Sequence, residues 1–378
     1  MSSDFRPWGP SSKLFGMREV DIPTPALVID LPTVKRNIER MASYVAGHGF
    51  SVRPHTKTHK SVCVARMQCE AGAIGLSVAK AGEAEVMATV SDDILVAYPA
   101  WDPPRVSLIA QLAKSKTMRV AVDSTIAVDH LDASAATGKA TIGVLVDFDT
   151  GVHRTGLQEP PQALELAKCI DSKPNLRLDG LFTYQGNITG EGGHIEVELR
   201  QVAMRINEVL ALWRDHGLQS PIVSGGSTPT AYYSHFNDAL TEIRPGTYAY
   251  LDRNYATVTG QSLGACAAQV VATVVSNAVP GKVVLDCGSK TLAMDGFVGG
   301  PSGGHGFIVE YPHATIDNLT EEHGRVDVTQ CDQAPKLGER VHVIPNHICV
   351  CVNLQNHVWL KDHEAVEQVP VDTRGMLS

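Results

Sequence analysis

Short apolar runs alternate with longer segments of helical spacing over the first two thirds of the chain. Eight runs rich in β-branched and apolar residues have the length of buried strands, and they cover residues 50–54, 74–78, 94–97, 119–122, 141–148, 178–184, 221–223 and 240–243. Most intervening segments repeat apolar residues at helical spacing, as in residues 33–46, 63–71, 81–90, 104–113, 162–170 and 196–216. Because such alternation is typical of a parallel sheet covered by helices, it predicts a (β/α)8 barrel over residues 33–255.

The pattern changes near residue 255, where long helical segments stop. Strand-like runs punctuated by Gly and Pro cover residues 268–275, 282–286, 306–309, 326–329, 340–344, 348–352 and 358–361. They predict a β domain over residues 256–378. We expect the N-terminal segment, residues 1–32, to join this domain through a strand at residues 21–31.

Length and charge narrow the class of protein. A chain of 378 residues with 43% hydrophobic residues can build a large barrel and a smaller companion domain. A net charge of −9 argues against nucleic-acid binding. No apolar run has the roughly 18–20 residues that a membrane span needs, and the N-terminus lacks the pattern of a secretory signal. The eight cysteines include no CxxC pair, so we expect reduced thiols and a cytoplasmic protein.

Catalytic groups of such a barrel lie at the C-terminal ends of its strands. The first strand runs into RPHTKTHK at residues 53–60, which includes Lys57 and His59. A cationic neighbourhood disfavours a further positive charge and so favours a neutral, nucleophilic amine. The segment therefore predicts a lysine that forms a Schiff base, although a solvated basic turn also fits it.

Polar side chains also follow four later strands. Arg154 lies in a glycine-flanked loop after the fifth strand, and Tyr184 follows the sixth. The seventh strand leads into SGGSTPT at residues 224–230, where Gly226, Ser227 and Thr228 can approach a phosphate closely. The eighth leads into RPGTY at residues 244–248. Phosphate sites commonly follow the seventh strand of such barrels, although a surface arginine and an ordinary loop also fit the same residues.

The β domain contributes PNHIC at residues 345–349. Residues i and i+2 of a strand face the same way, so His347 and Cys349 can present an imidazole and a thiolate to one metal ion. Nitrogen and sulfur ligands favour zinc over magnesium or calcium. A buried cysteine beside a histidine that serves only the fold is the alternative.

The ordered set of motifs resembles the D-threonine aldolase and D-serine dehydratase family, whose TIM-like barrel is of the alanine racemase type. The matching segments run in order from residue 24 and are TPALVIDL (24–31), RPHTKTHK (53–60), GVHRTGL (151–157), TYQGN (183–187), GGSTPT (225–230), EIRPGTYAYLD (242–252), LDCG (285–288), EEHG (321–324) and PNHIC (345–349).

The resemblance implies a role for each matching residue. Lys57 would form the Schiff base with pyridoxal 5'-phosphate, and Arg154 would face the pyridine nitrogen. The resemblance also implies that His347 and Cys349 bind a zinc or manganese ion and that His59 acts with Lys57 in catalysis. It implies five further cofactor contacts, namely Tyr184, Gly226, Ser227, Thr228 and Tyr248. It further implies a homodimer that acts on a small D-amino acid, without a nucleic-acid or membrane partner.

The reaction within the family stays open on the sequence. HxC at residues 347–349 and GGSTPT resemble the dehydratase branch, whereas CVCVNL, DTRGM and TYAYLDRNY resemble the aldolase branch. We expect retro-aldol cleavage of a β-hydroxy-D-amino acid to glycine and an aldehyde. The alternatives are a D-serine or 3-hydroxyaspartate dehydratase, a metal-independent racemase, and a pyridoxal-phosphate-binding protein without turnover.

Overall fold

The computed structural model describes residues 17–378, so the first 16 residues of the predicted N-terminal segment lie outside the described part. The chain divides into two compact units. Among the described residues, one contains residues 17–34, Asp252–Asn254 and Leu263–Val371. The other contains Lys35–Leu251, Tyr255–Ser262 and Asp372–Ser378.

Residues 17–378 form seventeen strands and ten α-helices. The strands are β1 (Ala26–Asp30), β2 (Ser51–Val52), β3 (Leu76–Val78), β4 (Asp93–Val96), β5 (Thr117–Val122), β6 (Ile142–Asp147), β7 (Leu176–Phe182), β8 (Ile222–Gly225), β9 (Glu242–Ile243), β10 (Ala268–Ser276), β11 (Lys282–Leu285), β12 (Phe307–Ile308), β13 (Thr315–Leu319), β14 (Gly324–Asp327), β15 (Arg340–Ile344), β16 (His357–Asp362) and β17 (Ala365–Pro370). The α-helices are α1 (Leu31–His48), α2 (Val62–Glu70), α3 (Ala81–Met87), α4 (Pro103–Leu112), α5 (Thr125–Gly138), α6 (Pro160–Asp171), α7 (Gly192–Asp215), α8 (Arg253–Val258), α9 (Ser289–Leu292) and α10 (Ile348–Leu354).

Eight parallel strands form the barrel sheet in the order β2-β9-β8-β7-β6-β5-β4-β3. Backbone hydrogen bonds join its two end strands, because the Ile74 N–H donates to the Val52 carbonyl (3.1 Å) and the Ser77 N–H donates to the Pro54 carbonyl (2.8 Å). The predicted (β/α)8 barrel of the alanine racemase type is therefore confirmed.

Burial on both faces explains why these strands have apolar runs rather than alternating patterns. Every residue of β6 is buried, and Leu145 on this strand packs inside a cluster with Leu95, Ala121 and Phe182. The helices that follow have one apolar face. In α7 the buried residues include Ile195, Leu199, Val202 and Ile206, at the spacing of one helix face.

The second unit is a mostly antiparallel sheet of nine strands, which confirms the predicted β domain. Its main path is β13-β14-β11-β10-β1-β16-β17, and β15 joins β10 to β12. The N-terminal strand β1 lies inside this sheet, antiparallel to β10 and parallel to β16.

One predicted strand is wrong. Residues 348–352 belong to the helix α10, Ile348–Leu354, and not to a strand. A short apolar run fits a buried strand or a buried helix equally well. The buried positions are Ile348, Cys351 and Val352, at the i, i+3 and i+4 spacing of a helix. His347 precedes this helix in extended conformation, so the strand geometry assumed for His347 and Cys349 does not exist.

Within the described residues, we find no helix with both the length and the apolar character of a membrane span.

Candidate active site

A cavity of about 300 Å³ lies at the C-terminal ends of the barrel strands. Three predicted site residues line it, namely Lys57, Arg154 and Tyr184. Further polar side chains in its wall include His55, Lys80, Tyr98, Asp147 and Arg244. Each of the eight ends or follows a barrel strand, which is where parallel barrels carry their working groups.

The cations around Lys57 have different partners. Arg53 is buried and pairs with Asp93 (2.6 Å) and Glu242 (2.9 Å). Lys60 is buried and pairs with Glu83 at 2.6 Å.

Lys57 lines the cavity, and no carboxylate of residues 17–378 forms an ion pair with it. The segment is therefore not a solvated basic turn. It is a buried structure that leaves one amine facing the cavity.

His55 lies beside this amine as a neutral imidazole. Burial lowers its pKa well below the usual range, and the nearby charge of Lys57 lowers it further. Its Nδ1 accepts a hydrogen bond from the Lys57 backbone N–H at 3.3 Å. The proton of the neutral ring therefore resides on Nε2.

The loop after β6 is shaped by Asp149, whose Oδ1 accepts hydrogen bonds from the N–H groups of Gly151 (3.0 Å), Val152 (3.0 Å) and His153 (3.1 Å). These bonds outweigh the effect of burial and lower the pKa of Asp149. The loop carries Arg154, whose guanidinium carbon lies 5.0 Å from the centre of the Tyr184 ring. Two of the predicted cofactor contacts are thus in mutual contact.

The predicted phosphate loop is buried and is not part of the cavity wall formed by the described residues. Gly226 has a φ of +76°, which L side chains rarely adopt, and its N–H donates to Gln185 Oε1 at 2.5 Å. The Ser227 hydroxyl donates to the Gln185 carbonyl at 3.0 Å, and the Thr228 hydroxyl accepts from the Thr247 N–H at 3.1 Å. Several polar groups of this loop therefore maintain its own conformation.

The predicted metal ligands are neighbours in the β unit. Nδ1 of His347 lies 3.0 Å from Oδ2 of Asp252, and His347 also hydrogen-bonds to Cys349. Burial lowers the pKa of His347, but these two hydrogen bonds outweigh burial and raise the pKa to about 10. The thiol of Cys351 donates instead to the Leu292 carbonyl at 3.1 Å. Residues 17–378 contain no cluster of three or more His, Cys, Asp or Glu that could hold a metal, so this donor set has two members.

Two sequence profiles match the chain. The alanine racemase N-terminal domain matches residues 29–254, and a serine dehydratase domain matches residues 267–360. The chain is 30% identical to the D-threonine aldolase of an Arthrobacter species over 362 residues, which cover 94% of this chain and 93% of that protein. It is 33% identical to the D-threo-3-hydroxyaspartate dehydratase of a Delftia species over 353 residues, which cover 86% and 90%. The chain belongs to the D-threonine aldolase and D-serine dehydratase family.

Solved structures of the family have the same fold. The D-threonine aldolase of Filomicrobium marinum superimposes with a TM-score of 0.89 at 28% identity, covering 96% of this chain and 99% of that one. A D-threo-3-hydroxyaspartate dehydratase, solved as a cysteine-to-alanine mutant in the metal-free form, superimposes with a TM-score of 0.81 at 27% identity, covering 94% of this chain and 98% of that one. The prediction of a lyase-type enzyme of this family is confirmed, while the relatives divide between two reactions.

In this family member, the structure does not bring His59 and Tyr248 to the cavity wall. His59 accepts the Ser61 N–H at Nδ1 (3.0 Å), and its Nε2 lies 3.2 Å from Gln68 Oε1. Gln68 Nε2 donates to the Tyr248 hydroxyl at 3.1 Å. Burial lowers the pKa of His59 to about 4 and raises the pKa of Tyr248. Both side chains belong to a buried network whose visible role is structural.

Two buried charged residues of the cavity, Asp147 and Arg244, were not predicted from the sequence as site residues. Asp147 is the last residue of β6, and burial raises its pKa to about 6. Arg244 follows β9 and donates to the Ser224 hydroxyl (2.6 Å) and the Thr183 carbonyl (2.5 Å). Their positions at strand ends were visible in the sequence, but their burial depends on the barrel.

Proposed function

We propose that the protein is a pyridoxal-phosphate- and divalent-metal-dependent lyase that cleaves β-hydroxy-D-amino acids to glycine and an aldehyde. The D-threonine aldolases of Arthrobacter and Filomicrobium marinum, to which the chain is similar over almost its whole length, support this reaction. The observation that carries the proposal is that Lys57 lines the cavity without a carboxylate partner among residues 17–378, while its neighbours Arg53 and Lys60 are held in ion pairs.

The cavity has side chains that fit the cofactor. Lys57 would hold pyridoxal phosphate covalently, and Arg154, in contact with Tyr184, would face its pyridine nitrogen. A guanidinium stays protonated at all ordinary pH values, so it disfavours a second proton on that nitrogen. By the family resemblance, the turn at residues 224–230 would hold the phosphate; this turn lies outside the cavity wall formed by the described residues. Bound pyridoxal phosphate supplies an electron sink for the pair released at Cα.

One of the two proton transfers of this cleavage can be assigned to a group of the chain. The β-hydroxyl must lose a proton when the Cα–Cβ bond breaks, and Cα must gain one to become glycine. We assign the second transfer to Nζ of Lys57, which lines the cavity and has no carboxylate partner among residues 17–378. The imidazole of His55 is neutral, so it adds no charge to the cavity.

His347 and Cys349 would hold the divalent metal. An imidazole and a thiol form a donor pair suited to zinc, and two protein ligands leave coordination positions open for a substrate oxygen. The Asp252 carboxylate on the other ring nitrogen is the kind of second partner that metal-bound histidines have. The metal would supply Lewis-acid stabilisation of the substrate oxygen.

Product analysis tests the proposal. The enzyme loaded with pyridoxal phosphate and zinc or manganese is incubated with D-threonine, D-phenylserine, D-serine and 3-hydroxy-D-aspartate. We expect glycine and the matching aldehyde, with no product from the Lys57→Ala variant. Ammonia and a keto acid without glycine would refute the aldolase reaction.

Dehydration is the second candidate because of one residue. The thiol of Cys349 lies beside His347, and a similar D-threo-3-hydroxyaspartate dehydratase has been solved as a cysteine mutant in a metal-free form. In this reaction Nζ of Lys57 would accept the Cα proton while the β-hydroxyl leaves. The same incubation distinguishes the two reactions, since only dehydration releases ammonia.

A further inference from the structure

Among the described residues, one lysine of the cavity has no carboxylate partner, and the proposed chemistry gives it no role. Lys80 lines the cavity with Lys57, and its ammonium nitrogen lies 3.7 Å from the centre of the Tyr98 ring. No carboxylate within residues 17–378 forms an ion pair with Lys80. The nearest acid on its own helix, Glu83, accepts hydrogen bonds from Lys60 Nζ (2.6 Å) and the Ala79 N–H (2.8 Å).

The cavity wall has more cationic than anionic side chains, which favours binding of an anion from outside the protein. Its wall has four cationic side chains, Lys57, Lys80, Arg154 and Arg244, and the single carboxylate of Asp147. Arg244 is held by Ser224 and Thr183, while the proposed function assigns Lys57 and Arg154 to the cofactor. Lys80 is half-buried in the cavity, where an ammonium group is stabilised by an anionic partner. Lys80 is the cation left for another anionic group.

The position of Lys80 separates it from the proposed phosphate site. Lys80 follows β3 and Tyr98 follows β4, whereas the turn at residues 224–230 follows β8. Around the closed sheet the order from β4 is β4, β3, β2, β9 and β8, so Tyr98 and this turn are on opposite sides of the barrel. The phosphate therefore does not account for Lys80.

We propose that Lys80, held over the Tyr98 ring, binds a carboxylate of the substrate. The backbone of Lys80 is fixed, since its N–H donates to Glu83 Oε2 at 3.3 Å, and the aromatic ring stabilises its ammonium by a cation–π contact. An ammonium group that is held in place and has no anionic partner can donate hydrogen bonds to a carboxylate. The inference rests on the proposed function in taking the substrate to be an amino acid.

Two kinetic arms identify the carboxylate. D-threonine has only the α-carboxylate, whereas 3-hydroxy-D-aspartate also has one at Cβ. Loss of a charged hydrogen bond raises KM by about 10- to 100-fold. If Lys80 holds the α-carboxylate, Lys80→Met should raise KM for both substrates. If Lys80 holds the side-chain carboxylate, Lys80→Met should raise KM for 3-hydroxy-D-aspartate alone. Lys80→Arg should recover most of the loss, with kcat nearly unchanged in both variants.

A binding measurement keeps the test independent of turnover. Malonate is titrated by calorimetry into the cofactor-loaded wild type and into the Lys80→Met and Lys80→Arg variants. We expect the Kd for malonate to rise about 10-fold or more in Lys80→Met, whereas Lys114→Met, at an exposed lysine away from this cavity, should change it by less than about twofold.

Unchanged malonate affinity and unchanged KM values in Lys80→Met would overturn the proposal. Loss of the cofactor from that variant would also overturn it, because Lys80 would then serve the cofactor. A wild type that releases neither glycine nor ammonia from any substrate, but binds malonate through Lys80, would refute the lyase reaction and leave the carboxylate site in place.

Discussion

The carboxylate of Asp252 holds Nδ1 of His347 at a distance of 3.0 Å and has no exposure to solvent. The same oxygen accepts the N–H of Ile348 at 3.1 Å, so the carboxylate is fixed by the first turn of α10. A carboxylate on one ring nitrogen directs the other nitrogen towards a metal and makes it a better ligand. The contact therefore bears directly on the proposed metal site.

We predict that Asp252→Asn weakens metal binding by about 10- to 100-fold, because the imidazole loses its charged partner. The measurement is competition with a chromophoric chelator for zinc on the cofactor-loaded protein. Asp362→Asn, at an exposed carboxylate of the same unit, serves as the matched control and should leave the affinity unchanged. Equal zinc affinity in both variants would show that Asp252 serves only the fold.

The barrel could be predicted because its strands are buried on both faces. The predicted strand at residues 141–148 corresponds to β6, Ile142–Asp147, whose residues are all buried. Such strands have a continuous apolar run that is visible without a partner. The helix α10 was harder to predict, because its apolar run ICVCV fits both the two-residue repeat of a strand and the 3.6-residue repeat of a helix.

The partners of the cationic residues could not be predicted from the sequence. Lys60 meets Glu83 at a separation of 23 residues, and Arg53 meets Glu242 at a separation of 189 residues. Local spacing does not show such contacts, since they exist only after the barrel has closed. The sequence therefore predicted Lys57 by resemblance, while the structure gives the physical reason why it differs from Lys60.

We predict that Lys57→Ala abolishes the visible absorbance of the cofactor-loaded protein. Pyridoxal phosphate joined to a lysine amine as a Schiff base absorbs at roughly 410–420 nm, and borohydride reduces this bond. Both properties require the lysine amine. The spectrum is recorded after incubation with pyridoxal phosphate and removal of the excess. A band that persists in Lys57→Ala, or that is absent from the wild type, would contradict the assignment.

Lys60→Met should act on stability rather than on the cofactor. The variant leaves the buried Glu83 without its cation, and breaking a buried pair in this way costs about 3–5 kcal/mol. Urea unfolding should show the lower free energy of unfolding, while the visible band is retained after loading. Lys168→Met is the control, because the pair of Lys168 with Glu165 is exposed and contributes little. An unchanged urea midpoint would refute the importance of the Lys60–Glu83 pair.

Asp147 should make the stability of the cofactor-free protein fall as the pH rises through about 6. Burial raises its pKa in the folded state to about 6, so the folded protein holds this proton at pH values where the unfolded chain has lost it. The stabilisation is complete below the pKa of the unfolded chain, near 4, and is lost as the pH rises to 6. The side chain of Asp147→Asn stays neutral at every pH. The free energy of unfolding of this variant, minus that of the wild type, should therefore increase by about 2–3 kcal/mol between pH 4 and pH 7. Urea unfolding of both proteins across this range measures the difference, and a difference independent of pH would mean that Asp147 is ionised throughout.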